Sequence, residues 1–173
     1  MPSLVGSEMC IRDRHLPPLF SERVNVVIFY DFEVFKEDWL AVFIDVTKKK
    51  EYVIINNPDE LKALYEANSK DIWVGYNNRH YDQYIFKGIL LGMNPKRIND
   101  WIIVEKREGW QFSSAFNKVP MINYDVMPNP PVGLKTLEGF LGSNIKETDV
   151  DFRINRKLTK EEIEMTVFYC RHD

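Results

Sequence analysis

Apolar and polar positions along the chain fall into short runs separated by clear breaks. Val26-Val27-Ile28-Phe29 is apolar and β-branched, and Val24 to Tyr30 predicts a buried central strand. Leu40 to Val46 predicts a second strand, and Tyr52 to Ile55 a third. The charged Thr47-Lys48-Lys49-Lys50 between them predicts a hairpin, its lysines either a solvated turn or a contact for a phosphate backbone. Asn57-Pro58-Asp59-Glu60 then starts a helix: Asn as cap, Pro at the first position, acids in the first turn. That helix is expected to reach Ala67.

Ile72 to Tyr76 predicts a fourth strand. A helical pattern follows, with Tyr84, Ile85, Ile89 and Leu90 on one side, until Gly92. Pro95 to Glu105 is expected to be another helix, and Gly109 to Val119 a loop or short hairpin. Met121 to Met127 predicts a fifth strand. After the prolines at 128, 130 and 131, Gly133 to Phe140 reads as helical. Asn144 to Arg156 is polar and irregular. The last helix opens at Leu158-Thr159-Lys160-Glu161-Glu162, where Thr159 and Glu162 form a capping box. This order, three antiparallel strands and then helix, strand, helix, strand, helix, resembles that of ribonuclease H-like domains. The resemblance implies an α/β fold with a mixed five-stranded sheet flanked by helices.

Composition narrows the class. The chain has 173 residues, 45% hydrophobic and 28% charged, enough for one domain with a real core. No apolar run approaches the ~18 residues of a bilayer span, so no membrane partner is expected. Two cysteines, Cys10 and Cys170, cannot make a disulfide framework, and a reducing cytoplasm is the expectation. The formal net charge of −3 argues against binding a polyanion by bulk charge. A site rich in carboxylates can still meet phosphate through a metal. Residues 1–14, containing Ser3-Leu4-Val5-Gly6-Ser7-Glu8-Met9-Cys10-Ile11-Arg12-Asp13-Arg14, resemble a translated transposase sequencing adapter and are set apart from fold reasoning. They carry two charges of each sign, so the net charge without them is still −3. Residues 15–23, with Pro17-Pro18, read as an irregular lead-in, and 24–173 as the folded domain.

Candidate chemistry sits in three places. Asp31 and Glu33 follow the first apolar run and project to one face of a strand. Two adjacent carboxylates repel, and a hard divalent ion with oxygen ligands removes that cost. The alternative is a solvated strand end. In Gly75-Tyr76-Asn77-Asn78-Arg79-His80-Tyr81-Asp82, Asp82 stands in the first turn of a helix, as a ligand or as a capping acid. In Tyr169-Cys170-Arg171-His172-Asp173, Tyr169 and Asp173 share a helix face one turn apart. There a phenol could hold a metal-bound water, or Tyr169 is half-buried core and Asp173 solvated.

Together, Asp-x-Glu, Asn-x-x-x-Asp and Tyr-x-x-x-Asp in this order resemble the motifs of DEDDy 3′→5′ exonucleases, which include polymerase proofreading domains. The likeness spans about Val24 to Asp173. It implies Asp31, Glu33, Asp82 and Asp173 as ligands of two divalent ions, Mg²⁺ or Mn²⁺. Asp31 would bridge the pair, and Tyr169 would orient the attacking water. It also implies contacts from Asn78 and Tyr81 to the 3′-terminal nucleotide. Phe32 is a further candidate for base stacking if it lines the groove; a regular strand would turn it away. A Tyr124-Asp125 strand, the 134–140 helix, Lys146 to Asp151 and the capped last helix follow the plan of protein-primed phage family-B polymerases. Lys146 would be their phosphate-side lysine.

The expectation is therefore a metal-dependent 3′→5′ exonuclease releasing nucleoside monophosphates from single-stranded or frayed DNA 3′ ends. It would be a monomer in the cytoplasm of a bacterium or phage-infected host, with a polymerase domain a further possibility in the full-length chain. Other readings of the same fold are an inactive nucleic-acid-binding domain, an RNA-directed nuclease or an endonuclease. Because the chain ends on Asp173, a proposed ligand, it reads as truncated at its C-terminus. Weak activity is expected of it, with recovery on adding the natural downstream sequence.

Overall fold

The computed structural model describes residues 26–142 and 150–172. The adapter-like segment, the lead-in, Val24, Lys146 and Asp173 lie outside the described residues. Strand β1 (Val27–Val34) pairs antiparallel with β2 (Trp39–Asp45), and β2 antiparallel with β3 (Lys50–Ile55). Strand β4 (Ile72–Gly75) lies parallel to β1, and β5 (Ile122–Asp125) parallel to β4. The sheet order is β3-β2-β1-β4-β5, which puts β1 in the middle. The fold is α/β with a mixed five-stranded sheet flanked by helices, as expected at that level.

β1 runs further than its apolar start suggests. Alternation continues through the acids: Ile28, Tyr30, Phe32 and Val34 are buried on one face, while Phe29, Asp31 and Glu33 take the other. The inward face meets α1 (Pro58–Ala67), α2 (Asp82–Leu90) and α3 (Pro95–Asn99) in one core. Its centre is a set of rings from Tyr30, Phe32, Phe43, Trp73 and Phe86 with centroids 5.1–6.3 Å apart. The outward face is covered at its upper end by α5 (Lys160–Cys170), whose Val167 and Cys170 pack on Leu40 and Val42. Lower down, Phe29, Val46, Tyr124 and Val126 stay exposed. Helix α4 (Leu134–Phe140) stands at the rim of that open half.

Local signals hold where both partners lie within one turn. Asn57 accepts the Glu60 N–H at 3.2 Å, and the capping box of Thr159 and Glu162 is present in both directions. Two expectations are corrected. The helix expected from Pro95 to Glu105 is α3 followed by a wider π turn, Asp100–Val104. The winding changes at Asp100, whose carboxylate accepts from Lys96 at 2.6 Å and Asn99 at 3.0 Å. The segment from Gly109 to Val119 is neither hairpin nor plain loop. It forms two 3₁₀ turns, Gly109–Gln111 and Ser114–Lys118, which bury Phe116 against Tyr84. No helix of the described residues is long and apolar enough to cross a membrane.

Candidate active site

The site is built around the edge of β1 where β4 stops. β4 pairs with β1 only from Val27 to Phe29. Beyond that point the β1 backbone groups on this side have lost their strand partner and need another. Asp82, the first residue of α2, supplies it: its Oδ1 accepts the Phe32 N–H at 3.2 Å. The acid is thereby drawn to the strand that carries Asp31 and Glu33, and only 5% of it is exposed.

Gly75 makes this approach possible. A Cβ there would come within 2.9 Å of both the Tyr30 carbonyl oxygen and the Asn78 amide nitrogen. The loop from Gly75 to α2 is then pinned from β5. Asp125 Oδ1 accepts the N–H of Asn77 at 2.9 Å, and Oδ2 that of Arg79 at 3.1 Å. Asn77 takes a φ of 56°, which an asparagine tolerates better than most residues.

Electrostatics show which groups share the space. The Asp82 carboxyl is pushed well above the usual carboxylate range, first by burial and then by the charge of Asp31, while the Phe32 N–H pulls the other way. The Tyr81 phenol is raised by burial and by the charges of Asp82, Glu33 and Asp31. The Cys170 thiol on α5 is raised by burial, by Asp31 and, more weakly, by Glu33. Its Sγ donates to Asp31 Oδ2 at 2.9 Å. Asp31 thus acts on Asp82, Tyr81 and Cys170 alike, and Glu33 on the last two.

Of the expected acids, Asp31 and Asp82 face each other and Glu33 follows Asp31 on the same side of β1, while the fourth, Asp173, lies outside the described residues, as does Lys146. Tyr169 is half-buried on α5, one residue before Cys170. The ammonium of Lys135 on α4 lies 4.5 Å from its ring centroid. Tyr81 is half-buried beside the acids, and its hydroxyl donates to Asn99 Oδ1 at 2.7 Å. Among the described residues, no group of three or more His, Cys, Asp or Glu converges closely enough to hold one metal ion.

Two expected nucleic-acid contacts are corrected. Phe32 is 2% exposed and packs against Phe43 and Phe86, because its place in the alternation turns it into the core. Asn78 is fully buried: its Nδ2 donates to Asn123 Oδ1 at 3.1 Å and to the Tyr124 carbonyl at 2.9 Å. It braces the loop and has no face left for a nucleotide. Asn123, which also accepts from the Tyr30 hydroxyl at 2.9 Å, escaped notice in the sequence, and Asp125, noted there only within a Tyr-Asp strand, was not read as pinning the loop. The one signal was alternation in the fifth strand, which places both on the face shared with Tyr30.

Beside Asp31 a groove of about 390 Å³ opens along the outward face of the sheet, lined by Phe29, Ile44, Tyr76, Val126, Leu134 and Leu137. No family model, curated protein or solved structure matches the chain.

Proposed function

We propose that the chain is a metal-dependent 3′→5′ exonuclease domain of the ribonuclease H-like type, acting on single-stranded or frayed 3′ ends. The observation that carries this reading is Asp82: a buried carboxyl held at the strand that bears Asp31 and Glu33, and pushed toward protonation by Asp31. Gathering like charges at a buried strand edge opposes folding unless something compensates them. The donors are all carboxylate oxygens, which suits a hard divalent cation such as Mg²⁺ or Mn²⁺. The sheet order β3-β2-β1-β4-β5 and the motif order along the chain support the same reading.

Asp31, Glu33 and Asp82 would hold the cations, with Asp173 as the fourth acid. When bound, a metal pair lowers the pKa of a water and offsets charge on the phosphate oxygens. The chain itself does the rest. Asp82 takes its place through the Phe32 N–H, so the acid is set before any ligand arrives. Cys170 fixes one oxygen of Asp31. Tyr169, on the helix turn above Asp31, would orient the attacking water by its hydroxyl. The groove beside Asp31 would exclude water from the terminal nucleotide and receive its apolar base face. Mispaired ends fray more readily and would enter first, which suits the proofreading part of a phage or prophage DNA polymerase.

A second reading keeps the fold and drops the chemistry. It is favoured by the absence, among the described residues, of three side chains converged on one metal position, and it makes the chain a nucleic-acid-binding domain. The deciding experiment uses a 5′-labelled single-stranded oligonucleotide with Mn²⁺ or Mg²⁺. The chain is assayed beside its Asp31→Ala variant. Stepwise metal-dependent shortening from the 3′ end, lost in Asp31→Ala, is expected. Binding without shortening overturns the nuclease in favour of the binding domain, and internal cuts indicate an endonuclease.

A further inference from the structure

We infer that Lys135 on α4 is a positioning residue for Tyr169, a role that rests on the nuclease reading above. Nothing in the three motifs involves this lysine.

Lys135 has an unusual place for a lysine on a short surface helix. Its side chain is only 27% exposed, and that of Glu138, 3.6 Å away, is 15% exposed. The ion pair is therefore turned toward the body of the protein. Lysines on such helices ordinarily run their ammonium out to water. Here the ammonium lies 4.5 Å from the centre of the Tyr169 ring. A cation over an aromatic face is attracted by the negative charge of that face, and more strongly where water is partly excluded. Glu138, one turn along, holds the ammonium in place.

The rest of α4 is held weakly. None of its residues is fully buried, and Phe140 is 80% exposed. Leu134 and Leu137 line the groove beside Asp31, and the Tyr76 hydroxyl donates to the Val132 carbonyl just before the helix. The helix thus brings a charge to the aromatic ring whose hydroxyl the proposed reaction needs. Tyr169 has few rotamers, and a ring fixed from its face directs its hydroxyl along one line. Seating α4 on the groove and aiming the phenol are in this way a single event. A nucleotide entering the groove past Leu134 and Leu137 would tighten the contact, so that a filled groove and an aligned water go together.

The test has two readouts. In the full chain labelled with ring-¹³C tyrosine, the Tyr169 cross-peak is identified by its loss in Tyr169→Phe. Lys135→Met is expected to move that cross-peak, and Lys135→Arg to leave it near its original position. An unmoved cross-peak in Lys135→Met overturns the contact. In the metal-dependent shortening assay, Lys135→Met is expected to lower kcat about fivefold with little change in KM. Lys135→Arg should recover most of the loss. In a Tyr169→Leu background, Lys135→Met should cost nothing further, because the ring it acts through is gone. Equal losses in both backgrounds overturn the role and make Lys135 a general phosphate or stability contact. A chain that moves the cross-peak but shortens no substrate refutes the nuclease reading and removes this role with it.

Discussion

Asp38 and Asp82 are buried to nearly the same depth, 7% and 5% exposed, yet their surroundings differ in kind. Asp38 has a donor on each oxygen: Asn56 Nδ2 at 2.6 Å on Oδ1 and the Leu158 N–H at 2.7 Å on Oδ2. It ties the start of β2 to the segment that leads into α5, across 120 residues of chain. Asp82 accepts one N–H from the neighbouring strand and faces the charge of Asp31. An acid enclosed by donors fastens two pieces of backbone. An acid buried beside another acid is held at a cost, and that cost is the ground on which a cation is proposed there.

The contrast can be broken at either aspartate. The largest effect is expected from Asp82→Asn in the oligonucleotide assay. The amide oxygen still accepts from Phe32, so the fold should persist, while shortening falls about a thousandfold. Undiminished cleavage would place Asp82 in the same class as Asp38. The next largest is Asp38→Ala, which leaves the Leu158 N–H buried without its acceptor. Urea unfolding should show a loss of about 2–3 kcal/mol; a loss under about 0.5 kcal/mol, ordinary for a surface change, would mean that the β2 junction holds without it.

A third effect is smaller and has a sign set by the raised Asp82 pKa. A carboxyl whose pKa is higher folded than unfolded binds its proton more tightly in the folded state. Its contribution to stability is full below the ordinary carboxylate pKa and is lost as pH rises through the folded value. At neutral pH without divalent ions, Asp82→Asn should therefore melt a few degrees above the wild type. The two melting curves should converge on acidification, and added Mn²⁺ should raise the wild type alone. A variant that melts lower at neutral pH would contradict the burial argument. The smallest effect belongs to Glu51→Ala. Its partner Arg171 holds the last turn of α5 to β3 at 2.5 Å, but both side chains are over a third exposed. A change of at most about 0.5 kcal/mol is expected in thermal unfolding.

Much of the fold was legible in the chain. Asn57 with Glu60 and Thr159 with Glu162 are pairs three residues apart, so both partners appear in any local reading. The extension of β1 to Val34 was also visible in principle, since Tyr30, Phe32 and Val34 keep the two-residue period. The site divides along the same line. Asp31, Glu33 and Asp82 could be singled out because their motifs are short, and of these Asp31 and Asp82 face each other in the fold. Asn78 was assigned to the wrong partner because its true one, Asn123, is 45 residues away and on another strand. The thiol on Asp31 comes from 139 residues downstream. Lys135 carries no local pattern, because its meaning comes from α4 being folded back toward α5. Distance along the chain, more than chemical subtlety, decided what could be read.

The bond from the Phe32 N–H to Asp82 has a further consequence. One oxygen of Asp82 serves the architecture, so exchanging the other for an amide nitrogen would keep the strand-edge bond and remove the charge. On the nuclease reading proposed above, genes descended from this one would have a short mutational route from scissors to clasp. Along it the sheet margin would stay sealed while the proposed turnover ceased, leaving a protein that could still grip a strand it no longer trimmed.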